Sequence, residues 1–177
     1  MKKVKNTLPE QSDSLLALYQ NNQFKDAENL ALSITKKFPK HLLSWKVLGV
    51  VLKQTGRASE ALVANKKALV IDPMDVESYN NMGNTLHELG RLEEAESIYR
   101  QAIAIKSNFT EAYSNLGNAL KDLGRLEEAE SNYKKAIALK PDYAEAHNNL
   151  GAAIKEQGRL DEAIENYEKA ITLKPDY

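Results

Sequence analysis

An all-α solenoid of stacked, antiparallel helix–turn–helix repeats is the fold class this sequence predicts, on three observations. The chain repeats itself every 34 residues: Thr110–Tyr143 reads TEAYSNLGNALKDLGRLEEAESNYKKAIALKPDY, and one period in either direction it lands on Ala144–Tyr177 and on Val76–Phe109. Residues 42–75 are a worn copy and 8–41 a more worn one. A fixed period of this length marks stacked units that each touch mainly their neighbours. All eight glycines fall in two columns at that period, Gly49, Gly83, Gly117, Gly151 and Gly56, Gly90, Gly124, Gly158. Four of the five prolines, Pro39, Pro73, Pro141 and Pro175, form a third column.

Each repeat reads as two helices. Helix A is expected at roughly 42–55, 76–89, 110–123 and 144–157, and helix B at roughly 58–71, 92–105, 126–139 and 160–173. Their apolar residues recur at helical spacing. The Gly56 column falls where helix A ends, where a left-handed residue lets the chain reverse. The prolines fall just past helix B, where a missing N–H forbids continuation. Asn108 and Asp142 read as N-caps with Glu111 and Glu145 three residues on. Glutamates open helix B (Glu93, Glu94, Glu127, Glu128) and lysines close it (Lys106, Lys140, Lys174), which suits the helix dipole. Glu96–Arg100, Glu130–Lys134 and Glu165–Lys169 have the spacing of i,i+4 pairs.

Ahead of the regular repeats, residues 1–7 read as a disordered tail, and the irregular stretch runs on to about residue 9. The first amphipathic pattern starts at Ser14 and the second at Phe24, with Asn21 and Asn22 as the turn and Pro39 as the stop. Residues 8–177 are thus expected to form a single array with 8–41 as a degenerate cap, which suits its lack of both glycines.

The inner glycine column lies inside helix A, where each glycine costs about 1 kcal/mol relative to alanine. Close helix approach is the expected compensation, with small residues facing it from helix B: Ala61, Ala95, Ala129, Ala163 and Ala68, Ala102, Ala136, Ala170. Leu48, Met82, Leu116, Leu150 and Tyr99, Tyr133, Tyr167 are expected to fill the remaining core.

Composition narrows the function classes. A net charge of −1 over 177 residues argues against a sequence-independent nucleic-acid binder, which shows a basic face. With no cysteine there is no disulfide framework, thiolate zinc site or cysteine nucleophile. Lys2, Lys3 and Lys5 resemble the start of a signal peptide, but TLPEQSDS follows instead of an apolar run, and no stretch approaches a membrane span. A soluble cytoplasmic chain with no membrane or nucleic-acid partner is expected. His41, His87 and His147 come from different columns and cannot form a compact metal site, and phosphate-loop or nucleophile-elbow motifs are missing from the sequence. His87 reads as an exposed groove residue and His147 as a packing substitute. No cofactor and no catalytic residue is expected.

The columns resemble the tetratricopeptide-repeat family, whose unit has the same length and a W-x2-L-G-x2-Y … A-x3-F … A … P skeleton. That skeleton reads Tyr113, Leu116, Gly117, Leu120, Ala129, Tyr133, Ala136, Pro141 in one unit and Trp45, Leu48, Gly49, Leu52, Ala61, Ala68, Pro73 in another. Asn65 stands in place of an aromatic, Ser107 in place of proline, and His147 in place of a large aromatic. The resemblance implies a right-handed superhelix with helix A on its concave side, binding peptides or protein surfaces there without chemistry.

In that frame helix A presents asparagines to the groove: Asn81, Asn115 and Asn149 in one column, Asn80 and Asn148 beside it with Ser114 between them, and Asn84 and Asn118 one turn along. An amide offers donors and an acceptor, so such a ladder can pair with the backbone of an extended peptide. Similar ladders occur in the arm of O-linked N-acetylglucosamine transferases, which makes a substrate-recruiting arm of such a transferase the alternative to a free-standing scaffold. A carboxylate clamp for chaperone tails is disfavoured: Lys46 and Asn81 fit, but Val50, Glu111 and Asn115 fill the other places. Ile164, Tyr167 and Ile171 on the last helix are expected to stay uncovered and to offer a route to self-association.

Overall fold

The computed structural model describes residues 7–175, and among them the chain forms ten α-helices. It divides into two units, residues 1–89 and 90–177, each built from repeated helix pairs.

The first unit holds α1 (Leu8–Gln20), α2 (Phe24–Lys37), α3 (Leu42–Gln54), α4 (Ala58–Ile71) and α5 (Val76–Glu88). Helix α1 begins six residues ahead of the Ser14 start that the hydrophobic pattern suggests. Thr7 caps it through a capping box with Glu10, and Pro9 sits in its first turn, where a missing N–H is no loss. Thr7 is therefore ordered as a cap, and the rest of the expected tail lies outside the described residues. The α1–α2 turn has no glycine, yet it adopts the same reversal, because Asn22 takes φ +57° in the column of Gly56, Gly90, Gly124 and Gly158. Leu15, Ala27, Ala31, Ile34, Val47, Leu48, Val51, Leu52, Ala61 and Ala64 form this unit's core.

The second unit holds α6 (Leu92–Ile105), α7 (Thr110–Asp122), α8 (Leu126–Leu139), α9 (Ala144–Glu156) and α10 (Leu160–Leu173). Ala95, Ala102, Leu116, Leu120, Ala129, Tyr133, Ala136, Leu150, Ile154 and Ala163 are buried. All four regular B helices have the expected bounds, and each regular A helix ends one residue earlier than expected. The N-caps of α7 and α9 are not Asn108 and Asp142 but Phe109 and Tyr143, and neither makes a side-chain cap bond. Phe109 is buried, so apolar packing sets its position and leaves Asn108 one place ahead of the N-cap. Asp75 does cap α5, accepting from the Ser78 N–H at 2.8 Å.

Glycines inside helix A sit against side chains more than against alanines. A Cβ on Gly117 would lie 2.5 Å from Cε1 of Tyr133, one on Gly151 2.9 Å from Cε1 of Tyr167, and one on Gly49 2.2 Å from Oδ1 of Asn65. The alanine column contributes through its backbone: the Ala163 carbonyl would be 3.1 Å from the Gly151 Cβ. Asn65, standing in the tyrosine column, is buried and donates through Nδ2 to Thr85 Oγ1 at 2.9 Å and to the Asn81 carbonyl at 3.2 Å.

A clasp of arginines that sequence reading misses joins successive B helices. Each arginine is the N-cap of its helix and grips the glutamate three residues on, as Arg125 does Glu128 at 2.7 Å. It also reaches back 29 residues: Arg57 to Glu28 at 2.6 Å, Arg125 to Glu96 at 2.6 Å, Arg159 to Glu130 at 2.8 Å. The signal is present as arginine and glutamate columns at one period. Glu96–Arg100 and Glu130–Lys134 form as expected, whereas Glu165–Lys169 is not among the ion pairs of the described residues.

Candidate functional site

Which face each unit offers follows from how its helices approach one another. Within the first unit α1 touches α3 and α3 touches α5, and within the second α7 touches α9; no two B helices of one unit come so close among the described residues. The A helices therefore line the inner side of each unit, where the candidate asparagines lie.

In the first unit Asn80, Asn81 and Asn84 stand on α5, all half-buried. The Asn81 carbonyl accepts from Thr85 Oγ1 at 2.8 Å as well as from Asn65, which ties this turn of α5 to α4. In the second unit Asn115 and Asn118 stand on α7 and Asn148 and Asn149 on α9, again half-buried. Ser114, expected beside them, is fully buried and does not line the face.

Asn118 and Asn149 are brought into direct contact. Asn118 Oδ1 accepts from Asn149 Nδ2 at 3.0 Å and from the Tyr133 hydroxyl at 2.7 Å. Burial, then the charges of Asp122, Glu156 and Glu145, pushes the Tyr133 pKa up, so the hydroxyl stays a donor. One core tyrosine thereby fixes which way two surface amides point. A hydroxyl in a buried aromatic column was the available signal, since a buried Tyr O–H needs a partner. The Asn118 Nδ2 group and the Asn149 Oδ1 make no side-chain hydrogen bond among the described residues, so one donor group and one acceptor are held ready.

Lys46, on the same face of the first unit, is occupied by Asp75 at 3.1 Å and by Glu77. Partial burial works against its charge, but the hydrogen bonds it donates to Glu77 and Asp75 outweigh it and raise its pKa. The same kind of balance lowers Asp75: burial opposes its charge, and hydrogen bonds from Ser78 and Lys46 prevail. A lysine held by two carboxylates is not a cation waiting for a peptide carboxylate, which removes the one basic element of a chaperone-tail clamp.

His147 and His41 are held by internal hydrogen bonds. His147 is buried and its Nε2 lies 3.1 Å from the Pro141 carbonyl, the contact that Trp45 Nε1 makes to the Pro39 carbonyl at 2.8 Å and the Tyr113 hydroxyl to the Ser107 carbonyl at 3.2 Å. His41 bridges Ser44 at 2.7 Å and Ser12 at 3.2 Å. His87 is half-buried, not the exposed residue its column suggests. Among the described residues no group of His, Asp and Glu could hold a metal ion, and no helix is long and apolar enough to cross a membrane.

Family models described as TPR repeat match residues 49–90, 83–124 and 117–158, and one described as Tetratricopeptide repeat matches residues 144–177. Solved structures share the fold. TTC0263, a thermophilic TPR protein of Thermus thermophilus, matches with TM-score 0.83 at 24% identity over 94% of this chain and 91% of its own. MamA matches with TM-score 0.77 at 24% identity over 90% and 94%, and YrrB, a TPR protein with an unusual peptide-binding site, with TM-score 0.71 at 22% over 99% and 91%. No curated protein matches. The repeat skeleton, the paired helices and the family models agree, and the chain belongs to the tetratricopeptide-repeat family.

Proposed function

We propose that this chain is a non-catalytic scaffold that binds an extended peptide or protein segment through the A-helix asparagines. The observation that carries the reading is the Tyr133–Asn118–Asn149 relay. Free asparagine side chains lose rotamer entropy when they bind. Here a buried hydroxyl and a neighbouring amide hold that orientation in advance, so a backbone C=O and N–H meet a preset donor and acceptor. Asn80, Asn81, Asn84, Asn115 and Asn148 extend the same chemistry within their own units. YrrB, with its unusual peptide-binding site, is a precedent for such binding within the fold.

The test starts from a peptide selected against the chain by display of random extended sequences. Replacing Asn81, Asn115 and Asn149 by alanine is expected to weaken that peptide at least about tenfold, about 1.4 kcal/mol, with little change in melting temperature. Equal affinity of the variant and the parent overturns the reading.

A further inference from the structure

The repeats serve as internal controls for one another, and one B helix departs from the rest. The outermost stripe of helix B reads Asn29, Ser33, Lys36 in the first repeat, Ser97, Gln101, Ala104 in the third, Ser131, Lys135, Ala138 in the fourth and Glu165, Lys169, Thr172 in the fifth, polar or small throughout. On α4 it reads Val63, Lys67, Val70 and continues past the helix end to Met74. These positions share one helix face. Val63 is 59% exposed, Val70 79% and Met74 65%, so they build no core.

The same helix has lost an acid, as α10 also has with Ile164. Glu28, Glu96 and Glu130 share a column, and two of them hold the cation four residues on, Arg100 and Lys134. On α4 that column holds Leu62, and Lys66 forms no ion pair among the described residues. Lys67 is likewise unpaired, as are Lys36, Lys37 and Lys40 at the end of α2. The two basic groups are continuous: Pro39, Lys40, Lys67, Val70 and Ile71 line one depression of about 290 Å³. Nearby acids are engaged, Glu60 by Arg57 at 2.7 Å and Asp72 by the Met74 N–H at 2.9 Å.

We propose that this face of the first unit docks on an anionic membrane surface, with Val63, Val70 and Met74 entering the headgroup region and Lys37, Lys40, Lys66 and Lys67 meeting lipid phosphates. An apolar ridge flanked by long-stemmed cations is what an interface of apolar tails and anionic headgroups accommodates. A second copy of the chain is disfavoured, because self-pairing sets lysines against lysines. A phosphodiester polymer uses the lysines but leaves the ridge in water. The sequence reading expects no membrane partner because it asks for a span, and this is a surface contact instead. The proposal is independent of the asparagine face.

The test is sedimentation of the full chain with vesicles of phosphatidylcholine alone or with about 30% phosphatidylglycerol, at about 0.1 M salt, where surface charge is only partly screened. Two variants carry residues that other repeats use in the same columns: Val63→Ser/Val70→Ala/Met74→Asn, and Lys66→Glu/Lys67→Gln. Circular dichroism checks that each is folded. Binding to the anionic vesicles is expected to exceed that to neutral ones by about tenfold, and each variant to reduce it by about fivefold or more. Equal or no binding to both vesicles overturns the proposal and leaves an acidic protein partner as the reading of the stripe. Anionic binding that the apolar variant leaves unchanged also overturns it, since lysines alone then account for the attraction.

Discussion

A methyl group added to Gly117 would meet three atoms of the Tyr133 ring at 2.5, 2.8 and 2.9 Å, whereas one added to Gly124 would meet nothing within 4 Å. These two glycines therefore exist for different reasons, one for space and one for its φ of +75°. Gly117→Ala gains about 1 kcal/mol of helix propensity and loses roughly 1–3 to overpacking. Gly124→Ala costs about 1–2 kcal/mol in backbone strain. A double-mutant cycle separates them by urea unfolding. In a Tyr133→Leu background the cost of Gly117→Ala should fall by about 1 kcal/mol or more, while that of Gly124→Ala should stay within about 0.5. Identical behaviour of the two would refute the assignment. The need for close approach was legible in the glycine column itself. The tyrosine as its main partner was not, because which side chain crosses to a glycine depends on rotamer and crossing angle, and those are not written in spacing.

Between neighbouring helices the same tyrosine has a second effect, through its hydroxyl. Tyr133→Phe keeps the ring against Gly117 and removes only the bond to Asn118, so it should cost about 1 kcal/mol of stability. It should also weaken a groove-bound peptide severalfold by releasing the Asn118 amide, a change that a purely internal hydrogen bond would not produce. Helix starts give a sharper contrast. Asp75 caps α5 and holds Lys46, so Asp75→Ala should cost about 1–2 kcal/mol. Asp142 lies one residue ahead of the N-cap of α9, and Asp142→Ala should stay within about 0.5 kcal/mol in thermal melts. Sequence reasoning treats both Asp142 and Asn108 as caps, since N-cap preference is a statement about residue type and a one-residue shift is invisible to it. The opposite error arises at α1: T-L-P-E is a readable capping-box signature, but the weak apolar pattern before Ser14 outweighs it. Turn chemistry carries over even without glycine, because asparagine is the other residue that tolerates a left-handed turn, as Asn22 shows.

Over the whole chain the positive and negative charges nearly cancel, and net charge therefore says little about pH. The pairing between repeats says more. Glu130 accepts from Lys134, Arg159 and Gln157; burial alone would raise its pKa, and these hydrogen bonds instead hold it down to about 2. A carboxylate depressed on folding contributes its full stabilisation above its unfolded pKa, about 4.3, and loses it as pH falls through the folded value. Its partners Lys134 and Arg159 are more than a third exposed, so solvent screening brings the contribution to roughly 1–2 kcal/mol. Asp75 shifts in the same direction and Lys46 in the opposite one, and Lys46 adds stability that persists below its unfolded pKa and is lost only in strong alkali. Stability should be flat through neutral pH and fall below about pH 4.5. Glu130→Gln isolates the clasp: the variant should be less stable than the parent by roughly 1–2 kcal/mol at neutral pH, and the gap should close as the parent's own carboxylate protonates toward about pH 2. Urea titrations of both proteins across that acidic range measure the gap directly. A difference that stayed constant with pH would mean that Glu130 acts through packing, and that the arginine clasp between B helices contributes nothing electrostatic to holding successive repeats together.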